Sequence, residues 1–162
     1  MPSPAYLFAK GQSSGDVQGS VKVKGRENSV EVLAFHHAVE LPTDVQSGRI
    51  SGVRRHSPFI ITKAADKSTP IFYKMACTGE MLTEVKIMWF EIKPDGKEAN
   101  WYTHTLRNAQ ITEISSHMAN VKEGGAQHTV LMDTIGFRYQ EIEWAVTEGG
   151  IMAMDNWEQT RD

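Results

Sequence analysis

The stretch EVKIMWFEIKPDGKEANWYTHTLR, Glu84 to Arg107, decides the fold. Lys93-Pro94-Asp95-Gly96-Lys97 at its centre is a turn with a mechanism: proline fixes φ, aspartate bonds the local backbone, and glycine tolerates positive φ. The flanks, Glu84 to Lys93 and Glu98 to Arg107, therefore read as the strands of a β-hairpin. Ile87 to Phe90 is apolar on both faces, which places its strand centrally in a sheet or beneath a helix.

Such a helix lies just upstream. In DKSTPIFYKMACTGE, Asp66 to Glu80, Thr69 suits the N-cap, Pro70 the first helical position and Gly79 the C-terminal stop. Ile71 with Met75 and Phe72 with Ala76 are four residues apart, so the expected helix, Thr69 to Thr78, lays an apolar stripe on a sheet. Cys77 falls inside it and reads as a core thiol.

Farther out the period is two. Ser29 to Glu40 reads as one strand with two faces: Leu33, Phe35, His37 and Val39 form the bulky side, while Ala34, His36 and Ala38 suit a face turned toward another chain or a channel. Leu41 to Gly52, with Pro42, Asp44, Gln46, Ser47 and two glycines, reads as a long projecting loop. Strand character returns at Pro58 to Lys63, Ala109 to Ser116 and Val130 to Val146, the last bent or broken at Gly136. Gly11 to Ser20 and Ala119 to Gln127 read as loops. Six to eight strands and one short helix predict a mainly β fold, two packed sheets forming a barrel-like sandwich, in one domain spanning 1–162.

Composition narrows the function. Seventeen Lys and Arg against twenty Asp and Glu leave a net charge of −3 over 162 residues, no field to gather phosphate backbones, so no nucleic-acid partner is expected. The longest apolar run, Ala5 to Ala9, is far below the roughly 20 residues of a membrane-spanning helix. No secretory signal is recognisable near Met1, so synthesis is expected to end in the cytosol. The single cysteine precludes an internal disulfide and a multi-cysteine zinc site.

Local chemistry is sparse. His36, His37, His56, His104, His117 and His128 show no H-x-x-x-H spacing, and adjacent His36 and His37 in a strand point to opposite faces, so no metal site is expected. No G-x-S-x-G elbow or phosphate loop is present, and no catalytic residue or cofactor is assigned. Arg54, Arg55 and His56 read as a solvated edge or subunit contact ahead of an anion site. Trp89, Trp101 and Trp144 read as core aromatics.

SGVRRHSPFIITKAADKSTPIFYKMACTGEML, Ser51 to Leu82, resembles the signature stretch of the Hcp family, the haemolysin-coregulated proteins of bacterial type VI secretion systems. MPSPAY (Met1 to Tyr6), LPTDVQSG (Leu41 to Gly48), YTHTLRNAQITEI (Tyr102 to Ile114), GFRYQEIEW (Gly136 to Trp144) and EGGIMAMDNW (Glu148 to Trp157) follow in family order, so the resemblance spans nearly the whole chain. It implies a tail-tube-like subunit that forms homohexameric rings, stacks them into the inner tube, meets sheath and tip-spike proteins, holds small effector proteins in the lumen, and is exported from the cytoplasm without inserting in a membrane. It places Ala34, His36 and Ala38 toward the channel. It also places Pro42, Thr43, Asp44, Val45, Gln46, Ser47 and Arg49 in a ring and tube contact loop. The competing reading is a monomeric small-ligand-binding β-barrel, which needs a roomy apolar interior.

Overall fold

The computed structural model describes residues 3–125 and 129–158; Ala126 and Gln127 from the expected Ala119 to Gln127 loop, His128, Met1, Pro2 and residues 159–162 lie outside them. In chain order it forms β1 (Ala5–Gly11), β2 (Gly15–Asp16), β3 (Val30–Val32), β4 (Ala34–His36), β5 (Val39–Glu40), β6 (Arg55–His56), β7 (Phe59–Ala64) and α1 (Thr69–Thr78). There follow β8 (Leu82–Ile92), β9 (Glu98–His117), β10 (Met132–Arg138), β11 (Glu141–Val146) and, after a 3-10 turn at Glu148–Gly150, β12 (Ile151–Asn156). The fold is mainly β, a sandwich of open sheets with one short helix.

β9 runs for 20 residues and belongs to both sheets. Its first half pairs with β8 on one side and β11 on the other, and β1 and β12 extend that first sheet outward, with β2 and β3 beyond β1. Its pairing with β8 ends at Ala109, opposite Leu82, and its pairing with β10 begins at Gln110, opposite Arg138. One residue before that last pair with β8 sits Asn108 at φ 51°, a left-handed conformation that asparagine tolerates better than most residues. The second half of β9 then joins β10, β7 and β4 as the second sheet, so Ala109 to Ser116 continues one long strand.

The Pro94-Asp95-Gly96 turn forms as expected. Gly96 N–H donates to Lys93 O at 2.8 Å, Lys97 N–H to Asp95 Oδ1 at 3.0 Å, and Gly96 sits at φ 80°. Val130 to Val146 breaks at Tyr139 and Gln140. Gly136 instead marks a bulge that leaves Thr112 unpaired, and a Cβ there would meet Thr112 Oγ1 at 3.4 Å. Gly11 and Gly15 pair across a tight turn, so the expected Gly11 to Ser20 loop is partly strand.

Ser29 to Glu40 is not one strand. β3 pairs with β1 in the first sheet, whereas β4 pairs with β7 in the second, and the chain changes sheets at Leu33, whose side chain is exposed. Val30 and Val32 point into the core before this step and Phe35 and His37 after it, so the alternation slips by one.

Leu7, Val85, Ile87, Leu106 and Ile142 from the first sheet meet Phe59, Ile61, Ile135 and Phe137 from the second, all fully or almost fully buried. At roughly 1.5–3 kcal/mol for each such side chain, this packing is the main stabilising force. Phe72 and Met75 insert from α1, while Cys77, two residues beyond Met75 and so on another flank, is exposed rather than in the core. Trp89 and Trp144 pack against the core, but Trp101 is exposed.

The N-cap of α1 is Ser68, with Thr69 the first helical residue. Thr69 is drawn away from a capping role by a buried polar hub. Its hydroxyl donates to Asp133 Oδ2 at 2.6 Å and accepts from Lys63 Nζ at 3.0 Å. Lys63 follows Phe59 and Ile61 on the inward side of β7, where its ammonium also reaches Asp66 Oδ1 at 3.0 Å and Asp133 Oδ2 at 3.2 Å. Burial acts against the Asp133 charge, but hydrogen bonds from Ser116 and Thr69 and the Lys63 ammonium outweigh it and hold its carboxyl below the usual range. Lys63 and Asp133 are wholly buried, and the hub fastens the start of α1 to the second sheet.

Candidate assembly surfaces

The second sheet presents a small-residue outer face. Because Phe35, Phe59, Ile61, Ile135 and Phe137 point inward, the alternate residues point out. Ala34, Thr62, Thr134 and Ser115 lie in one cross-strand row, and His36, Ile60, Gly136 and Glu113 in the next. Ala34 and His36 thus share one exposed surface. Ala38, beyond β4, is exposed beside it and donates its N–H to Ser57 Oγ at 2.8 Å. His36 and His37 do point opposite ways: His37 turns inward, its Nε2 lying 2.7 Å from the Tyr139 hydroxyl.

The segment between β5 and β6 is an extended hairpin. Thr43 bridges Ile50, Asp44 N–H donates to Arg49 O at 2.8 Å, and Ser51 N–H donates to Pro42 O at 2.8 Å. Asp44 organises the tip: its carboxylate accepts from the Ser47 hydroxyl at 2.6 Å and from Gln46 N–H at 3.1 Å, bonds that lower its pKa. Thr43, Asp44, Val45, Gln46, Ser47 and Arg49 are exposed and Pro42 is half-buried. Val45 is 98% exposed and Val53 81%, apolar side chains held out from the body by an ordered turn.

A third surface escaped the sequence reading. Among the described residues β12 pairs only with β11, its other edge carrying no ladder, and Ile151, Met152 and Met154 are more than half exposed. An unpaired strand edge bearing flexible apolar side chains is an adhesive feature. Its signal in the sequence was IMAM after Gly149-Gly150, apolar without polar alternation.

Arg54 and His56 brace this strand. Arg54 Nε donates to Asp155 Oδ2 at 2.5 Å and Nη2 to Asn156 O at 2.7 Å; His56 Nε2 lies 2.6 Å from Asp155 Oδ2 and its Nδ1 2.6 Å from Tyr139 Oη. Arg55 is exposed, opposite Glu40 in the β5–β6 pair. The trio is neither a solvated edge nor an anion site, since two of its members hold the chain's own carboxylate. Burial opposes the charge of Asp155, yet the bonds from Arg54 and His56 hold its carboxyl low; burial, with His56 and His36 nearby, pushes His37 down to about 4.

The space between the sheets is filled by Phe59, Phe72, Phe137 and their aliphatic neighbours, which leaves the small-ligand barrel without its roomy interior. A surface cleft of about 300 Å³ lies between His56, Pro58, Arg138, Tyr139 and Trp157.

Residues 6–146 match the family described as "Type VI secretion system effector, Hcp". A "Major exported protein" of Pseudomonas aeruginosa is 33% identical over 166 residues, covering 97% of this chain and 96% of that one. Among solved structures, a substituted Hcp1 from E. coli is 33% identical with a TM-score of 0.85, covering 95% of this chain and 98% of the other. The secreted protein Hcp3 of P. aeruginosa is 26% identical with a TM-score of 0.80, covering 98% of this chain and all of the other. By sequence and by fold, the chain belongs to the Hcp family of type VI secretion.

Proposed function

We propose that the protein is the ring-forming subunit of a type VI inner tube: six copies close a ring, rings stack into a tube inside the sheath and behind the tip spike, and the tube is exported from the cytoplasm. The observation that carries this reading is the pair of open sheets ending in an exposed apolar strand, β12, on a chain whose interior is already full. An edge of this kind is stabilised by pairing with another chain, and a head-to-tail contact repeated by rotation closes a ring. The extended hairpin, with Val45 at its tip, supports contacts between subunits and between rings.

In this arrangement the outer face of the second sheet lines the channel. Its residues are mostly small, Glu113 being the charged member of the two rows, and with Ala34, His36 and Ala38 at one side they suit a smooth bore that small effector proteins occupy without tight pairing. No catalytic role is assigned. Static light scattering after size exclusion tests the proposal: a mass six times the 18.1 kDa of one chain, with annuli in negative stain, is expected. A monomer at every concentration overturns it.

A further inference from the structure

The two surfaces assigned to assembly are tied together through one buried imidazole. His56 closes the β5–β6 pair from which the extended hairpin springs, and its side chain is only 1% exposed. One ring nitrogen meets Asp155 of β12 and the other meets Tyr139, between β10 and β11, whose hydroxyl also meets His37, just past β4. The Trp157 ring covers the imidazole at 4.9 Å between centroids. Arg54, on the same returning limb of the hairpin, grips the same carboxylate and the carbonyl of Asn156.

For neutral imidazoles the donor order follows from the carboxylate. A carboxylate only accepts, so His56 Nε2–H donates to Asp155. The bare Nδ1 then accepts from the Tyr139 hydroxyl, whose oxygen accepts from His37 Nε2–H. Both nitrogens of His56 and the Tyr139 hydroxyl are then satisfied, and a satisfied buried network allows one geometry where apolar packing allows several. The His56 ring bridges Asp155 of β12 and Tyr139.

We propose that His56 is a positioning residue for assembly, locking the extended hairpin and β12 into one relative arrangement so that both contact surfaces are presented together. The inference rests on the self-assembly reading above. Its alternative is that His56 only pins the last strand and leaves the hairpin independent.

Amide hydrogen exchange on the full chain, read beside light scattering, separates these. His56→Phe is expected to raise exchange at least tenfold in both 39–56 and 151–156, to leave 84–106 unchanged, and to reduce the ring fraction. His56→Gln, whose amide donates to Asp155 and whose carbonyl accepts from Tyr139, is expected to restore both segments and the ring. Asp155→Asn serves where the Phe variant does not fold, with the same joint loosening expected. Loosening of 151–156 with 39–56 unchanged overturns the proposal, as does failure of folded His56→Gln to restore either segment. A wild-type chain that never forms rings overturns the assembly reading, while the paired exchange of the two segments in the monomer still decides whether His56 couples them.

Discussion

The protein contains two buried polar hubs, and they differ in what they fasten. The Lys63–Asp133 hub is sealed, with both side chains at 0% exposure, and its partners Thr69, Asp66 and Ser116 belong to α1, the turn before it and β9. The Arg54–His56–Asp155 hub sits at the margin, where Asp155 keeps 25% of its side-chain surface, and it ties the hairpin base to the last strand. A sealed charge holds a fold together because no water can replace a lost partner. A marginal one fixes the relation of two surfaces at modest cost, since water compensates part of any loss.

Removing one partner of the sealed hub is the strongest test of this contrast. Asp133→Ala leaves the buried Lys63 ammonium with Asp66 as its remaining carboxylate partner and is expected to cost about 3 kcal/mol in urea unfolding. Replacing both, as Lys63→Met with Asp133→Leu, is expected to recover much of that loss.

Acid tests the buried imidazoles next. Burial and the neighbouring His37 imidazole hold His104 at about 4, and its Nδ1 accepts from Trp89 Nε1–H at 3.0 Å. His37, also at about 4, behaves alike. Both bind protons more weakly folded than unfolded, so their contribution is complete above pH 6.5 and is lost as pH falls toward 4, up to about 3 kcal/mol for His104. Urea midpoints between pH 7 and pH 4 measure this, and His104→Gln is expected to flatten the slope. The Asp133 carboxyl, held below its ordinary value, keeps the sealed hub charged through that window.

Smaller changes reach only the surfaces. Arg54→Ala is expected to cost roughly 1–2 kcal/mol, leaving Asp155 with one charge-assisted donor fewer. Val45→Asp is expected to move monomer stability by less than about 0.5 kcal/mol while lowering sedimented tube mass, because a side chain at 98% exposure supports nothing within its own chain. His36→Trp is expected to leave ring mass unchanged and alter effector co-purification.

Local signals in the sequence carried far. Pro94-Asp95-Gly96 and the Pro70 to Gly79 helix were legible because a few neighbouring residues set their backbone angles. Thr69 was misread as the N-cap because its hydroxyl is claimed by Asp133, 64 residues away. The alternation from Ser29 to Glu40 looked like one strand because a chain that steps between sheets at Leu33 costs the pattern only one residue. Lys63 shared its parity with Phe59 and Ile61, but a lysine at a strand end reads as the way out to solvent. The exposure of Ile151, Met152 and Met154 was hidden for another reason: apolar residues are ordinarily assigned to a chain's own interior, and these lie on its surface. The channel-facing and loop assignments came from family resemblance together with small-residue and turn patterns.

β9 has a mechanical consequence. Two sheets joined only by side-chain contact can slide on one another, as sandwich layers do under load. Here one continuous strand of 20 residues is woven into both layers, hydrogen-bonded to β8 and β11 at one end and to β10 at the other. A thrust delivered to one layer passes to the other along a covalent backbone, so displacing the layers requires unzipping a ladder. A subunit woven in this way has no slip plane between its halves.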